Sequence, residues 1–228
     1  MGKMSDGIAP MLALALAFGG VAGPTLASPS LLTSATGYTG PVLNLAPYAG
    51  SETFLGSPVT LGDGTVVSAY STGSYIGVDY AGVNFVSNGV SMDTPVIMSD
   101  LSASNPVTLT FAAPVSSFGA EFNYIPDPFF GDDPVLSAYD AGGDLIASYD
   151  LAALAPISTP GGVNAFAFRG IDGGGDLIAS ITFAGSDLTT AGGVPEPATW
   201  LAMMVGVFAI GSSLRLARRS RGAEAPAS

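Results

Sequence analysis

Val107-Thr108-Leu109-Thr110-Phe111, with Phe118-Gly119-Ala120-Glu121-Phe122-Asn123-Tyr124 close behind it, decides the fold class. In the first run apolar residues alternate with threonine, so Val107, Leu109 and Phe111 share one face of a half-buried strand. In the second, Phe118, Ala120, Phe122 and Tyr124 share a face, and Gly119 marks a bulge or a close backbone approach. Working outward, the same rhythm recurs at Val135 to Tyr139, Leu145 to Tyr149, Ala165 to Arg169 and Ile178 to Phe183. Upstream it recurs at Val66 to Tyr70, Tyr75 to Asp79 and Val83 to Val86. Gly, Pro, Asn and Asp clusters punctuate these runs. No window between them carries a helical stripe, and Leu151 to Leu154 is long enough for one turn only. About nine short strands separated by turn signals predict an all-β domain, an antiparallel two-sheet sandwich resembling a jelly roll.

The chain has 228 residues, 31 of them Gly and 17 Pro, and a charged fraction of 11%. That fraction is well below the ~25% of ordinary soluble domains. Five of the six basic residues, Lys3, Arg215, Arg218, Arg219 and Arg221, lie near the chain ends. Between the two apolar end segments Arg169 is the one basic residue against fifteen acidic ones, a formal −14. Such a surface repels phosphate backbones, so nucleic acid is excluded as a partner. Ca²⁺ is the ion it would attract. The chain contains no Cys and no His, which removes disulfides, cysteine and Ser-His-Asp nucleophilic chemistry, and the commonest zinc ligand.

The two ends read as targeting segments. Lys3 precedes an apolar stretch from Ile8 to Phe18; Gly19, Gly20 and Pro24 break it, and Thr25-Leu26-Ala27 supplies small residues for cleavage after Ala27. Residues 1–27 thus have the anatomy of a signal peptide, cut by signal peptidase. At the other end come Val194-Pro195-Glu196-Pro197-Ala198-Thr199-Trp200, an apolar run to Leu214, then Arg215-Leu216-Ala217-Arg218-Arg219-Ser220-Arg221. The prolines hold Glu196 in extended, unpaired backbone, the shape a protease cleft requires. Trp200 is placed as an interfacial anchor, and the arginines favour the cytoplasmic side. Trp200 to Leu214 is fifteen residues, short of the ~17–25 of a stable span. The run therefore suits brief tethering during proteolysis better than permanent anchoring.

Val194, Pro195, Glu196, Pro197, Trp200, Arg215, Arg218 and Arg219, with Ala202-Met203-Met204 and the glycines Gly206 and Gly211 in the apolar run, closely resemble the PEP-CTERM sorting signal. Leu201 departs from it, standing where Ala is common. The resemblance covers the tail alone. It implies recognition and cleavage by exosortase, a membrane peptidase of Gram-negative bacteria. It also implies delivery from the inner membrane, with the domain on the periplasmic side, to the cell surface or an exopolysaccharide matrix. The chain thus divides into a signal peptide (1–27), a β-sandwich domain (28–191), a Pro-Glu-Pro linker and sorting motif (192–199), a transmembrane helix (200–217) and a basic cytoplasmic tail (218–228).

Within the domain, Gly142-Gly143-Asp144-Leu145-Ile146-Ala147-Ser148 recurs as Gly174-Gly175-Asp176-Leu177-Ile178-Ala179-Ser180, each copy following an aspartate, Asp140 or Asp172. Asp and Gly tolerate tight backbone angles, so the echo predicts two β-turns feeding similar strands; paired acidic Ca²⁺ loops are the sharper alternative. The densest acidic stretch, Asp127-Pro128-Phe129-Phe130-Gly131-Asp132-Asp133-Pro134, carries hard oxygen ligands that suit Ca²⁺, while its Pro and Gly content predicts an exposed turn. These residues favour a non-enzymatic structural or adhesive protein without a cofactor. A carbohydrate-binding module is the first alternative, with Tyr70, Tyr75, Tyr80, Phe129 and Phe130 as stacking candidates. A secreted hydrolase using two Asp or Glu carboxylates is the second.

Overall fold

The computed structural model describes residues 27–77 and 83–192. Residues 1–26 of the signal segment, the Pro-Glu-Pro motif, the apolar tail and Tyr80 lie outside them. Among the described residues no helix is long and apolar enough to cross a membrane.

The domain is antiparallel β-structure with almost no helix. The strands are β1 (Ser30–Leu32), β2 (Glu52–Phe54), β3 (Val59–Thr60), β4 (Val66–Ala69), β5 (Tyr75–Gly77), β6 (Val83–Asn84), β7 (Val90–Ser91) and β8 (Val96–Met98). There follow β9 (Val107–Val115), β10 (Ser117–Asn123), β11 (Val135–Tyr139), β12 (Leu145–Asp150), the one-turn helix α1 (Leu151–Leu154), β13 (Ala167–Asp172), β14 (Ile178–Ala184) and β15 (Thr189–Ala191). One sheet runs β1-β13-β10-β15-β8-β5-β2, a second runs β12-β11-β14-β9-β4-β3, and β6 pairs with β7.

The inward faces of the two large sheets share one core. Val107, Leu109 and Phe111 enter it from β9, and Phe118, Ala120 and Phe122 from β10. Phe122 meets Phe183 of the opposite sheet edge-on, with ring centroids 5.8 Å apart. Ile76, Ile97, Leu136, Ile171, Ile178 and Ile181 complete it, each fully buried. Burying side chains of this size stabilises by roughly 1.5–3 kcal/mol each. The outer face of the seven-stranded sheet is covered too: Tyr75, Val83, Phe85, Val96, Ile125 and Ala191 form a second small core.

Gly119 marks a close approach, not a bulge, since the β10–β13 register is unbroken and sets Gly119 opposite Gly170. A Cβ on Gly119 would lie 2.3 Å from the Phe168 ring. That ring packs on Tyr38 at 5.2 Å. The Tyr38 hydroxyl accepts the Gly119 N–H at 2.8 Å, and burial pushes its pKa up to about 12.

Arg169 lies on the inward face of β13, between Ala167 and Ile171. Its guanidinium donates to the carbonyls of Ala155 and Pro156, each at 2.8 Å, and of Phe168 at 2.7 Å. Three carbonyls thus compensate a desolvated cation. The segment after α1 is also held by Asn88, whose Nδ2 donates to the Ile157 carbonyl at 2.9 Å.

The structure has fifteen strands among the described residues, more than the nine or so read from the sequence. The additional ones, β1, β2, β3, β7, β8 and β15, are two or three residues long, too short to show a period. The run from Val83 stops at Asn84. Val86 has φ +56° and belongs to a 3-10 turn, an unusual backbone for a β-branched residue.

Candidate functional site

The strand directions define two poles. β8 and β10 run toward one; β5, β13 and β15 start there. In the second sheet β4 and β14 end at that pole and β9 and β11 start there. The loops gathered at it are Tyr70–Ser74, Ser99–Pro106, Tyr124–Pro134 and Gly185–Leu188. The opposite pole holds both turns of the heptapeptide echo and the start of β1.

Hydrogen bonds stitch the first pole together. The Leu101 carbonyl accepts the N–H groups of Asp132 at 3.1 Å and Ser186 at 3.3 Å. Asp132 Oδ2 accepts the Ala103 N–H at 2.9 Å, and the Ser186 hydroxyl donates to the Asp132 carbonyl at 2.7 Å. Gly131, at φ +104°, allows the approach to Leu101, whose carbonyl oxygen would sit 2.2 Å from a Cβ there. Asp127 shapes the turn that presents the phenylalanines: its Oδ1 accepts the Phe129 N–H and its carbonyl the Phe130 N–H, both at 2.9 Å. Phe129 is 94% exposed, Tyr70 84% and Phe130 41%.

A cavity of about 320 Å³ opens beside this turn. Pro126, Pro128, Pro134 and Tyr124 form apolar walls, and Asp127, Asp133 and Ser186 bring polar groups to it. Tyr124 is itself 3% exposed. Its hydroxyl accepts the Ile157 N–H at 3.3 Å and donates to none of the described residues. Burial, the largest influence, raises its pKa, so the phenol keeps its proton as a donor.

Asp100 and Asp187 face each other where the β8–β15 pairing runs into its loops. Asp100 accepts from the Ser71 hydroxyl at 2.6 Å, the Leu101 N–H at 2.7 Å and Asn105 at 3.2 Å, and the Ser71 bond above all lowers its pKa. Asp187 is pushed up to about 6, first by burial and then by the Asp100 charge. Its backbone, like that of Ser186, is left-handed, at φ +50° and +49°.

The acidic loop is thus an exposed turn whose Asp127 and Asp132 carboxylates hold backbone N–H groups. Among the described residues no three His, Cys, Asp or Glu side chains converge as a metal centre would need. Tyr75 is not a surface aromatic: it is 5% exposed, in the second core, because the β6–β7 segment covers the face that the sequence left open to solvent. Tyr124 and Ser186 joined the site unannounced. Tyr124 reads in sequence as one more inward aromatic of β10, and a lone serine between Gly and Asp reads as a turn. Val194, Pro195, Glu196, Pro197, Trp200, Arg215, Arg218 and Arg219 lie outside the described residues. No family model, curated protein or solved structure matches this chain.

Proposed function

We propose that this chain is an exported cell-surface or extracellular-matrix protein, sorted and processed by exosortase, with a non-enzymatic structural or adhesive role. The observation that carries this reading is the order of the tail: Val194-Pro195-Glu196-Pro197, Trp200 and an apolar run, then Arg215, Arg218 and Arg219, in a chain that also begins with a signal-like segment. The acidic, cysteine-free domain is the cargo, a jelly-roll-like sandwich in its finer architecture. Two residues, Gly193 and Val194, separate the last described residue from Pro195. At ~3.3–3.6 Å per extended residue the cargo is held close to the cleavage motif. Mass spectrometry of the mature C-terminus, from cells with and without exosortase, tests the reading. The expected result is a terminus at or near Glu196 in exosortase-positive cells. Arginines still attached in those cells would sink it.

A further inference from the structure

We infer that the cavity beside Tyr124 is a saccharide subsite for an uncharged polysaccharide, with Phe129 as a stacking platform at its rim. The outward orientation used below rests on the exported-module reading; the ligand class follows from the residues alone.

A pyranose presents hydroxyl donors around its edge and C–H groups on its faces. The cavity is lined by Asp127 and Asp133, whose carboxylates are acceptors for such hydroxyls. Charge-assisted hydrogen bonds of this kind are the stronger class. The three prolines have fixed φ, so the apolar walls are preformed and little ordering is needed on binding. Phe129 follows the wall residue Pro128 directly. Its turn is fixed by two hydrogen bonds to Asp127, yet its ring is 94% exposed. The fold thus presents a large apolar surface to water in a defined place, and such exposure marks interaction sites.

Charge selects the ligand. The pole carries Asp100, Asp127, Asp132, Asp133 and Asp187, and Arg169, the one basic residue of the middle domain, is buried under α1's connection. A uronate or phosphate polymer would meet carboxylates with no cation to pair with. A basic peptide has the complementary charge but would leave the preformed apolar walls unused, so a neutral polymer fits the whole site better.

Placement keeps the pole clear of the chain's exit. β15 runs away from this pole toward the sorting motif, and β1 begins at the opposite pole. While the precursor is tethered through its C-terminus the Phe129 pole therefore faces away from the membrane, and after cleavage it lies at the end remote from the cut.

Native electrophoresis of the full-length chain in detergent, through gels cast with a neutral β-glucan, galactomannan, dextran or alginate, tests the inference. Retardation by at least one neutral polymer is expected, and none by alginate with or without Ca²⁺. Phe129→Ala and Asp133→Ala should each weaken binding about tenfold or more, the range of a contact hot spot, with unchanged thermal unfolding. Four outcomes would overturn the subsite: no retardation by any neutral polymer; retardation by alginate alone; capture of a basic peptide in place of glycan; or equal binding by both variants. Release of reducing ends would overturn binding without chemistry. A chain that binds glycan but keeps its arginines fails the sorting reading alone, and a correctly trimmed chain that binds none fails the subsite alone.

Discussion

The same seven residues, Gly-Gly-Asp-Leu-Ile-Ala-Ser, occupy two settings in this domain. At 142–148 they close the β11–β12 hairpin and enter β12, the edge of the six-stranded sheet. At 174–180 they carry the chain from β13 in one sheet to β14 in the other, and β14 is flanked on both sides. The local chemistry is shared. Asp140 Oδ1 accepts the Gly142 N–H at 2.8 Å, and Asp172 Oδ1 accepts the Gly174 N–H at 2.8 Å. Leu145 and Leu177 are each 57% exposed. The divergence comes one residue later: Ile146 only packs against the core from its margin, while Ile178 is fully buried within it. Turn chemistry is thus written in the heptapeptide, and burial is assigned by the neighbours.

The sharpest way to break that contrast is at the isoleucines. Ile178→Ala should cost about 2–5 kcal/mol, the range for a buried large-to-small change, and Ile146→Ala about 1 kcal/mol or less. Urea unfolding of the two variants reads the difference; equal midpoints would mean that edge and centre are energetically alike.

Next come the glycines. Gly174 has φ +64°, and a Cβ there would lie 2.4 Å from the Ser28 carbonyl carbon and 2.5 Å from the Pro29 nitrogen. Gly142 has no such conformation and would meet Asp140 Oδ1 at 3.2 Å. Gly174→Ala should therefore destabilise by about 1–3 kcal/mol and Gly142→Ala by under about 1 kcal/mol. Differential scanning calorimetry compares them, and a larger loss at Gly142 would refute the assignment of the tight packing to the second copy.

The smallest effect separates the echo's aspartates from Asp187. Asp140 and Asp172 hold backbone N–H groups, whereas Asp187 faces Asp100 and accepts no hydrogen bond at its carboxylate from the described residues. With its folded-state pKa at about 6 against an ordinary 3.8, the native state keeps a proton that the unfolded state has already lost. Between those values stability falls as pH rises. Burial gives Glu121 the same sign, and Asp100, shifted downward, the opposite one. Asp187→Asn should flatten the decline. Melting temperatures across that window decide it: parallel curves for variant and parent would remove Asp187 as the source.

Legibility in the sequence followed the same division. β11 and the long strands β9, β10, β12 and β14 were readable within a residue or a few, because each contains a run of five or more mostly apolar residues bounded by turn signals, and β9 and β10 also alternate with a period of two. β2, β3, β8 and β15 were not, because two or three residues carry no period. The turn at Asp127 was readable from its prolines and glycine, but the exposure of Phe129 and Phe130 was not, because adjacent phenylalanines are more commonly buried. The burial of Tyr75 was not, because it depends on what the chain from Val83 onward lays over it. The cavity was invisible for a related reason: the Tyr124–Pro134 loop, Ala152 and Ser186 are three segments that only the fold brings together.

β15 lies between β10 and β8, in the middle of the seven-stranded sheet. Thr189, Thr190 and Ala191 are nearly the last residues of the domain. As the chain lengthens from its N-terminus, β1, β13 and β10 can assemble on one side and β8, β5 and β2 on the other, but the two half-sheets cannot be joined until residue 191 is free to pair. Completion of the sheet thus waits for the far end of the chain, and such long-range pairing is intrinsically slow. Timing is built into the topology: a domain closed last by its own C-terminal strand stays threadable until almost all of it has emerged.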